Sequence, residues 1–249
     1  MTVSPPRHPR HGARLKFYYG PMDCGKSTLA LQIHHNHTRQ GRNGLLLTRH
    51  DRSGRPRVTT RIGLTRDAIE LADGDNLLEL ASGLGVDYVI CDEANFFTCE
   101  HVEQMADLVD QHGVDVYAFG LATDFTSTLF PAAARLFELA DEVARLQVEV
   151  LCWCGADGVL NARVAGGQLV REGERFLVGD TDAASIHYQV LCRKHYRSGE
   201  LSLRGEAAYP VLHHPVGPAV VGVPLADGQV QFTDGGAGDD VAAVQLGHV

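Results

Sequence analysis

The stretch Gly20-Pro21-Met22-Asp23-Cys24-Gly25-Lys26-Ser27-Thr28 constrains this chain more than any other. It fits the pattern G-x-x-x-x-G-K-[ST], whose glycines let the backbone wrap so that its N–H groups face phosphate oxygens. In that pattern the lysine, here Lys26, reaches the β/γ-phosphates. The hydroxyl, here Ser27, serves Mg²⁺, and Thr28 supplies a spare. The chain has only two other lysines, Lys16 and Lys194, so the match does not come from a lysine-rich composition. The flanks agree with it. Apolar Leu15 to Tyr19 predicts an incoming strand, and Ser27 to Arg39 predicts an outgoing helix whose positive dipole end faces the anion. ATP and Mg²⁺ are the expected cofactors.

The rest of the first 150 positions alternates between the two periodicities. Gly41 and Gly44 stop the first helix, and Leu45 to Leu47 reads as a second buried strand. His50 to Thr65 is polar, rich in Arg and Gly and aperiodic, which predicts a long loop near the site. Asn76 to Ala81 suggests a short helix, and Tyr88 to Cys91 a third strand. Val102, Met105, Ala106 and Val109 recur at helical spacing, so Cys99 to His112 is an amphipathic helix ending at Gly113. Val114 to Leu121 is a fourth strand. Pro131 opens a helix running to Leu139, and Glu142 to Val150 is a fifth strand. This alternation predicts an α/β fold: a parallel sheet like that of P-loop NTPases, covered by helices on both faces, over residues 15–150.

Composition changes at Leu151. Residues 151–197 hold short turns, cysteines and glycines, with little apolar sequence for a core, and read as a second unit stapled by metal. Cys152 and Cys154 form one close pair of soft ligands, and Cys192 and His195 another. Together they predict a structural tetrahedral Zn²⁺ site of Cys₃His type. The Cys152-x-Cys154 spacing is one residue shorter than the commoner C-x-x-C. Cys24, Cys91 and Cys99 lack such a pattern and read as buried thiols. His34, His35 and His37 read as a polar helix face. Residues 1–14 form a basic, Pro/His-rich arm. No hydrophobic stretch follows it, so it does not read as a secretory signal, and the cytosol is the expected compartment. Residues 198–249 are rich in Gly, Pro, Val and Ala without helical period, and predict a loosely ordered tail. A net charge of −9 argues against a broad nucleic-acid surface. No apolar run approaches the ~20 residues that cross a bilayer.

Asp92 and Glu93 end the third strand. An aspartate there holds Mg²⁺ opposite the loop serine. Strand alternation would aim Glu93 away from Asp92, leaving it free to act as a base. Phe96, Phe97, Phe125 and Phe130 fall at strand C-termini, where open α/β sheets bind ligands, and aromatic faces there could hold a nucleobase. The arginines of the long loop, Arg49, Arg52, Arg55, Arg57 and Arg61, read as a solvated face from which one or two could clamp phosphate.

In order along the chain, GPMDCGKST at Gly20–Thr28, DEANFF at Asp92–Phe97, GLATDFTSTLF at Gly120–Phe130 and the Y-x-x-x-C-x-x-H run from Tyr188 to His195 resemble the cellular-type (type II) thymidine kinases. The match spans about Leu15 to Tyr196. The resemblance implies a zinc-stapled lasso domain closing over thymidine. It implies that Glu93 is the general base on the 5′-hydroxyl, and that Asn95 joins the phosphate-loop residues and Asp92 at the cofactor, standing where many members have glutamine. It places Phe96, Leu121, Phe125 and Phe130 around the base. Backbone from Val178 through Gly179, Asp180, Thr181 and Asp182 would meet the base edge beside Tyr188, although the segment from Gly179 to Tyr188 is a few residues longer than the family pattern. Asp51 and Arg52 or Arg61 would lie near the reacting oxygen. Deoxyuridine as a second substrate, a homotetramer and a place in nucleotide salvage are implied in the same way.

Two other readings remain at the level of sequence. One is a P-loop NTPase or a kinase of another small molecule, though no N-K-x-D guanine reader is present. The other is a zinc-ribbon module that binds nucleic acid and uses ATP as a switch, which the acidic balance disfavours.

Overall fold

The computed structural model of the chain describes residues 12–49, 56–146, 148–174 and 186–202, with the backbone alone of 221–224 and 230–233. Its elements are β1 (Leu15–Tyr19), α1 (Lys26–Arg39), β2 (Gly44–Thr48), β3 (Arg57–Thr59), β4 (Thr65–Asp67), β5 (Ile69–Glu70), α2 (Leu77–Leu84), β6 (Tyr88–Cys91), a 3₁₀ turn (Ala94–Phe96), α3 (Cys99–His112), β7 (Asp115–Gly120), α4 (Pro131–Leu139) and β8 (Glu142–Arg145). There follow β9 (Leu160–Ala165), β10 (Gln168–Leu169), β11 (His187–Leu191) and α5 (Arg193–Ser198). A separate hairpin pairs β12 (Val221–Pro224) with β13 (Val230–Thr233). Residues 1–202 and 203–249 are two compact units. No helix among the described residues is long and apolar enough to cross a membrane.

Six strands form the central sheet in the order β5-β2-β6-β7-β1-β8, and every pairing in it is parallel. Its strands are near-continuous apolar runs because both faces are covered. The period of two sorts them. Val89, Cys91, Val116, Ala118, Leu15 and Phe17 face one core with Met105 and Leu108 of α3 and Leu136 of α4. Tyr88, Ile90, Tyr117, Phe119 and Leu46 face the other, against Ala30 and Leu31 of α1. The α/β sheet expected from the alternating pattern is therefore the one observed.

Four local expectations are corrected. The span read as a loop from His50 to Thr65, described from residue 56 onward, contains β3 and the first residue of β4, an antiparallel hairpin that sets Arg57 opposite Asp67. Its strands are only three residues each and mostly exposed, so no apolar alternation marks them in the sequence. The fifth strand stops at Arg145 rather than Val150, as the chain leaves the sheet edge. Cys99 is exposed as the first residue of α3, whereas Cys24 and Cys91 are buried. His34 and His37 are half-buried in a polar network rather than on an open face. His34 Nδ1 meets Tyr88 Oη at 2.9 Å and His37 Nε2 meets Tyr117 Oη at 3.0 Å.

Candidate active site

The phosphate loop fills the gap between β1 and α1. Gly25 takes a left-handed backbone (φ 77°), which its missing Cβ permits. Gly20 allows close approach: a Cβ there would lie 2.5 Å from Cys24 Sγ. Helix α1 starts at Lys26 with no side-chain cap and no acid in its first turn, so its first N–H groups and positive dipole end are available to an anion. Lys26 Nζ donates to the Pro21 carbonyl at 2.8 Å and lies 3.5 Å from that of Gly20, folded across the loop that Met22, Asp23 and Thr28 complete. Asp23, itself left-handed at φ 66°, pairs with Arg61, which reaches in from the turn between β3 and β4.

Ser27 Oγ donates to Asp92 Oδ2 at 2.7 Å. Asp92 is 3% exposed, and its Oδ1 is buried without a hydrogen-bond partner. Burial pushes its carboxyl above the usual range, while the Ser27 hydroxyl, the Glu93 backbone and Lys26 pull it down. A buried carboxylate with one unsatisfied oxygen, beside a hydroxyl at a phosphate loop, suits a hard cation such as Mg²⁺.

Asp92 and Glu93 lie just past β6, so strand alternation does not separate them. Glu93 instead adopts a left-handed backbone (φ 53°, ψ 38°) as it enters the 3₁₀ turn, and that bend redirects its half-buried side chain. Asn95, 2% exposed, accepts the Leu121 N–H at 2.8 Å through Oδ1 and so ties this turn to the end of β7.

Beyond β7 the chain forms a loop closed on itself by Asp124. Asp124 Oδ1 accepts from the Thr126 and Thr128 backbone N–H groups, and the Phe130 N–H returns to the Ala122 carbonyl at 3.1 Å. This folds Phe125 and Phe130 inward, each 3% exposed. Phe96 meets Phe130 edge to face at 5.6 Å, and Leu121 packs on the same core. The four side chains expected around a base therefore belong to two adjacent loops at the C-terminal ends of β6 and β7. Tyr188, on β11, is 39% exposed, and its phenol oxygen accepts from Arg163 Nε at 3.0 Å. Asp51, Val178, Gly179, Asp180, Thr181 and Asp182 lie outside the described residues.

Cys152, Cys154, Cys192 and His195 converge, their ligand atoms all within 4.8 Å of one another. Cys152 Sγ lies 3.4 Å from His195 Nδ1, and Cys154 Sγ lies 4.0 Å from Cys192 Sγ. Bonds of ~2.3 Å to a tetrahedral Zn²⁺ put two sulfurs about 3.8 Å apart, so these separations match the edges of such a site. The shortened C-x-C spacing is accommodated by a tight turn, in which the Gly155 N–H donates to the Cys152 carbonyl and the Cys152 N–H to that of Ala156. The backbone N–H of His195, at the start of α5, draws the Cys192 thiol below its ordinary value and favours the thiolate, whereas burial raises that of Cys152. Trp153 stacks on the His195 ring at 4.2 Å, and Glu200 lies 3.7 Å from its Nε2, so both orient the ligand. The donors fit structural zinc.

The stapled unit is joined to the sheet domain through residues not evident from the motifs. Asn161 Oδ1 on β9 accepts the Met22 N–H of the phosphate loop at 2.8 Å. Tyr196 Oη donates to the Phe125 carbonyl at 2.6 Å. Arg163, 3% exposed, lies over the Phe125 ring. Of these missed residues and the Asp124 turn, only the turn had a local signal, the D-x-T-x-T run from Asp124 to Thr128.

Comparison with known proteins bears on the same region. The family model described as thymidine kinase matches residues 13–196. A thymidine kinase of Streptomyces coelicolor is 50% identical over 201 residues, covering 78% of this chain and 93% of that one. One from Cutibacterium acnes is 48% identical over 193 residues, 75% of this chain and 89% of the other. One from Legionella pneumophila (strain Paris) is 37% identical over 196 residues, 76% and 91% of the two chains. The family model spans the sheet, the loops after β6 and β7 and the Cys/His cluster as one run of sequence, and with relatives of this identity and coverage it shows that the chain belongs to the thymidine kinase family.

Proposed function

We propose that the chain transfers the γ-phosphoryl group of ATP to the 5′-hydroxyl of thymidine, giving ADP and thymidine monophosphate, and accepts deoxyuridine in the same way as part of nucleotide salvage. The observation that carries this reading is the contact of Ser27 with a buried, half-satisfied Asp92, followed directly by Glu93 on a left-handed backbone. Phosphoryl transfer asks a protein mainly for positioning and charge stabilisation. The loop N–H groups and Lys26 hold the β- and γ-phosphates. Ser27 and Asp92 hold Mg²⁺, which when bound neutralises charge on the phosphate oxygens.

Glu93 accepts the 5′-hydroxyl proton as the new oxygen–phosphorus bond forms and the bond from the γ-phosphorus to the β,γ-bridging oxygen breaks. Phe96, Leu121, Phe125 and Phe130 enclose the base, and by the family resemblance Tyr188 and residues 178–182, the latter outside the described residues, serve its edge. By the family resemblance Arg61, held on Asp23, and Asp51, which lies outside the described residues, serve the reacting oxygen, and Asn95 braces the turn that presents Glu93. Zinc holds β9, β11 and α5 together. The homotetramer follows from the family resemblance.

A panel of nucleosides with ATP and Mg²⁺, followed by ADP release, tests the reading. Release that depends on thymidine or deoxyuridine, with purine nucleosides inert, is expected. Equal release without any nucleoside would overturn it.

A further inference from the structure

Arg163 is a buried cation at the meeting point of three groups. Its guanidinium carbon sits 3.6 Å from the Phe125 ring centroid and 5.7 Å from that of Tyr188. Nε donates to Tyr188 Oη at 3.0 Å, and Nη1 donates to the Glu174 carbonyl at 2.7 Å. The backbone fixes where it starts, since Arg163 on β9 stands directly across from Tyr188 on β11. The side chain therefore links an aromatic residue of the sheet domain to a tyrosine of the zinc-stapled sheet.

A buried arginine is costly unless its donors are satisfied, and a lysine cannot reproduce the planar fork that stacks on a ring while bonding sideways to two oxygens. For packing β9 against β11 alone an apolar side chain would serve, as Val164 and Ala162 beside it do. The planar cation is needed to set a ring and a phenol at fixed separation.

We infer that Arg163 is a positioning residue for nucleoside binding: stacked on the Phe125 ring and bonded to the Tyr188 phenol, it fixes these two side chains relative to one another. This rests on the reading of the site as a nucleoside pocket. Arg163 acts through those two side chains, which the proposed function places at the base rather than at the phosphates, so its effect falls on the nucleoside.

The test is steady-state kinetics of the full-length, zinc-loaded protein with R163Q and R163K, varying thymidine at saturating ATP and the reverse. Loss of a charged hydrogen bond and a cation–π contact should raise the thymidine KM about tenfold or more in R163Q. The ATP KM should stay within about twofold, as should kcat at saturating thymidine, because groups that bind ground state and transition state alike move KM. R163K keeps the buried charge without the fork and should show a smaller rise in the same direction. It decides the matter if R163Q does not fold. Zinc content and thermal midpoint are measured alongside. An unchanged thymidine KM in a folded variant would overturn the inference. So would parallel rises in both KM values accompanied by zinc loss, which mark a purely structural role. A wild-type protein that does not phosphorylate thymidine would instead refute the proposed function, so the two failures are distinguishable.

Discussion

Glu93 holds a backbone conformation that costs a non-glycine residue on the order of 1 kcal/mol or more, and only Asp23 and Ser127 share positive φ outside glycine among the described residues. All three lie in loops of the proposed site. A glycine at 93 would relieve the strain and lose the carboxylate, so the residue makes sense as a functional group and poor sense as a turn. Glu93→Gln keeps shape and backbone but cannot take a proton. Its kcat should fall ~10²–10⁴-fold, while dissociation constants for ATP and thymidine measured by calorimetry stay within a few-fold. Asp92→Asn should instead raise the Mg²⁺ concentration needed for half-maximal rate. If Glu93→Gln kept its kcat and Asp92→Asn lost it at every Mg²⁺ level, the base would be Asp92. The types and order of Lys26, Ser27, Asp92 and Glu93 were legible in the sequence because each sits in a short motif whose chemistry demands that residue. The aim of Glu93 was not, since it depends on one left-handed dihedral. Asn161, Arg163 and Tyr196 were silent because their partners are far off, 139 positions for Asn161–Met22 and 71 for Tyr196–Phe125.

Elements were legible where burial imposed a period. β1, β6, α3 and α4 match their expected bounds because each presents a continuous or helical apolar pattern to one of the two cores. The β3–β4 hairpin presents none. Within α1, the histidines give a consequence that the pattern of the helix hid. Burial and then the neighbouring Arg42 hold His37 below its ordinary value of 6.5, with Asp115 opposing, and burial holds His34 low with Arg66 and His35 adding. Each is bonded to a tyrosine, and His37 also meets Arg42. Because their folded values are lowered, the unfolded chain binds more protons as pH falls below about 6.5, and the stability they contribute is present above that pH and lost below it. Thermal midpoints should drop between pH 7.5 and 5.5, and His37→Gln should flatten the decline. An unchanged slope in the variant would remove His37 from the account. The zinc unit is the opposite case, legible from four ligands but not from any apolar period. Structural zinc in small peptides contributes on the order of 10 kcal/mol, so Cys192→Ser should release metal and unfold β9, β11 and α5. Elemental analysis should find about one Zn²⁺ per wild-type chain, as a four-ligand site requires. Protein that carried no zinc and tolerated a chelator without loss of structure would contradict the site.

At the scale of the molecule, the sheet domain supplies the phosphate loop and the loops after β6 and β7, and the zinc-stapled unit meets both. Asn161 bonds the phosphate loop and Tyr196 bonds the aromatic loop, so a metal on the Cys/His cluster would brace the frame in which two substrates would meet. The contacts of that joint were beyond the sequence: the resemblance implied a lasso closing over the nucleoside, but nothing marked Asn161 or Tyr196 as the residues that dock it. The most direct test of the whole account follows the phosphorus itself. Protein, ATP, Mg²⁺ and thymidine are incubated and the products are read by ³¹P NMR. The account predicts a phosphomonoester on the thymidine 5′-oxygen, formed one for one with ADP and absent with Lys26→Ala. ADP accompanied by inorganic phosphate, with no thymidine monophosphate, would show a nucleotide hydrolase and contradict it.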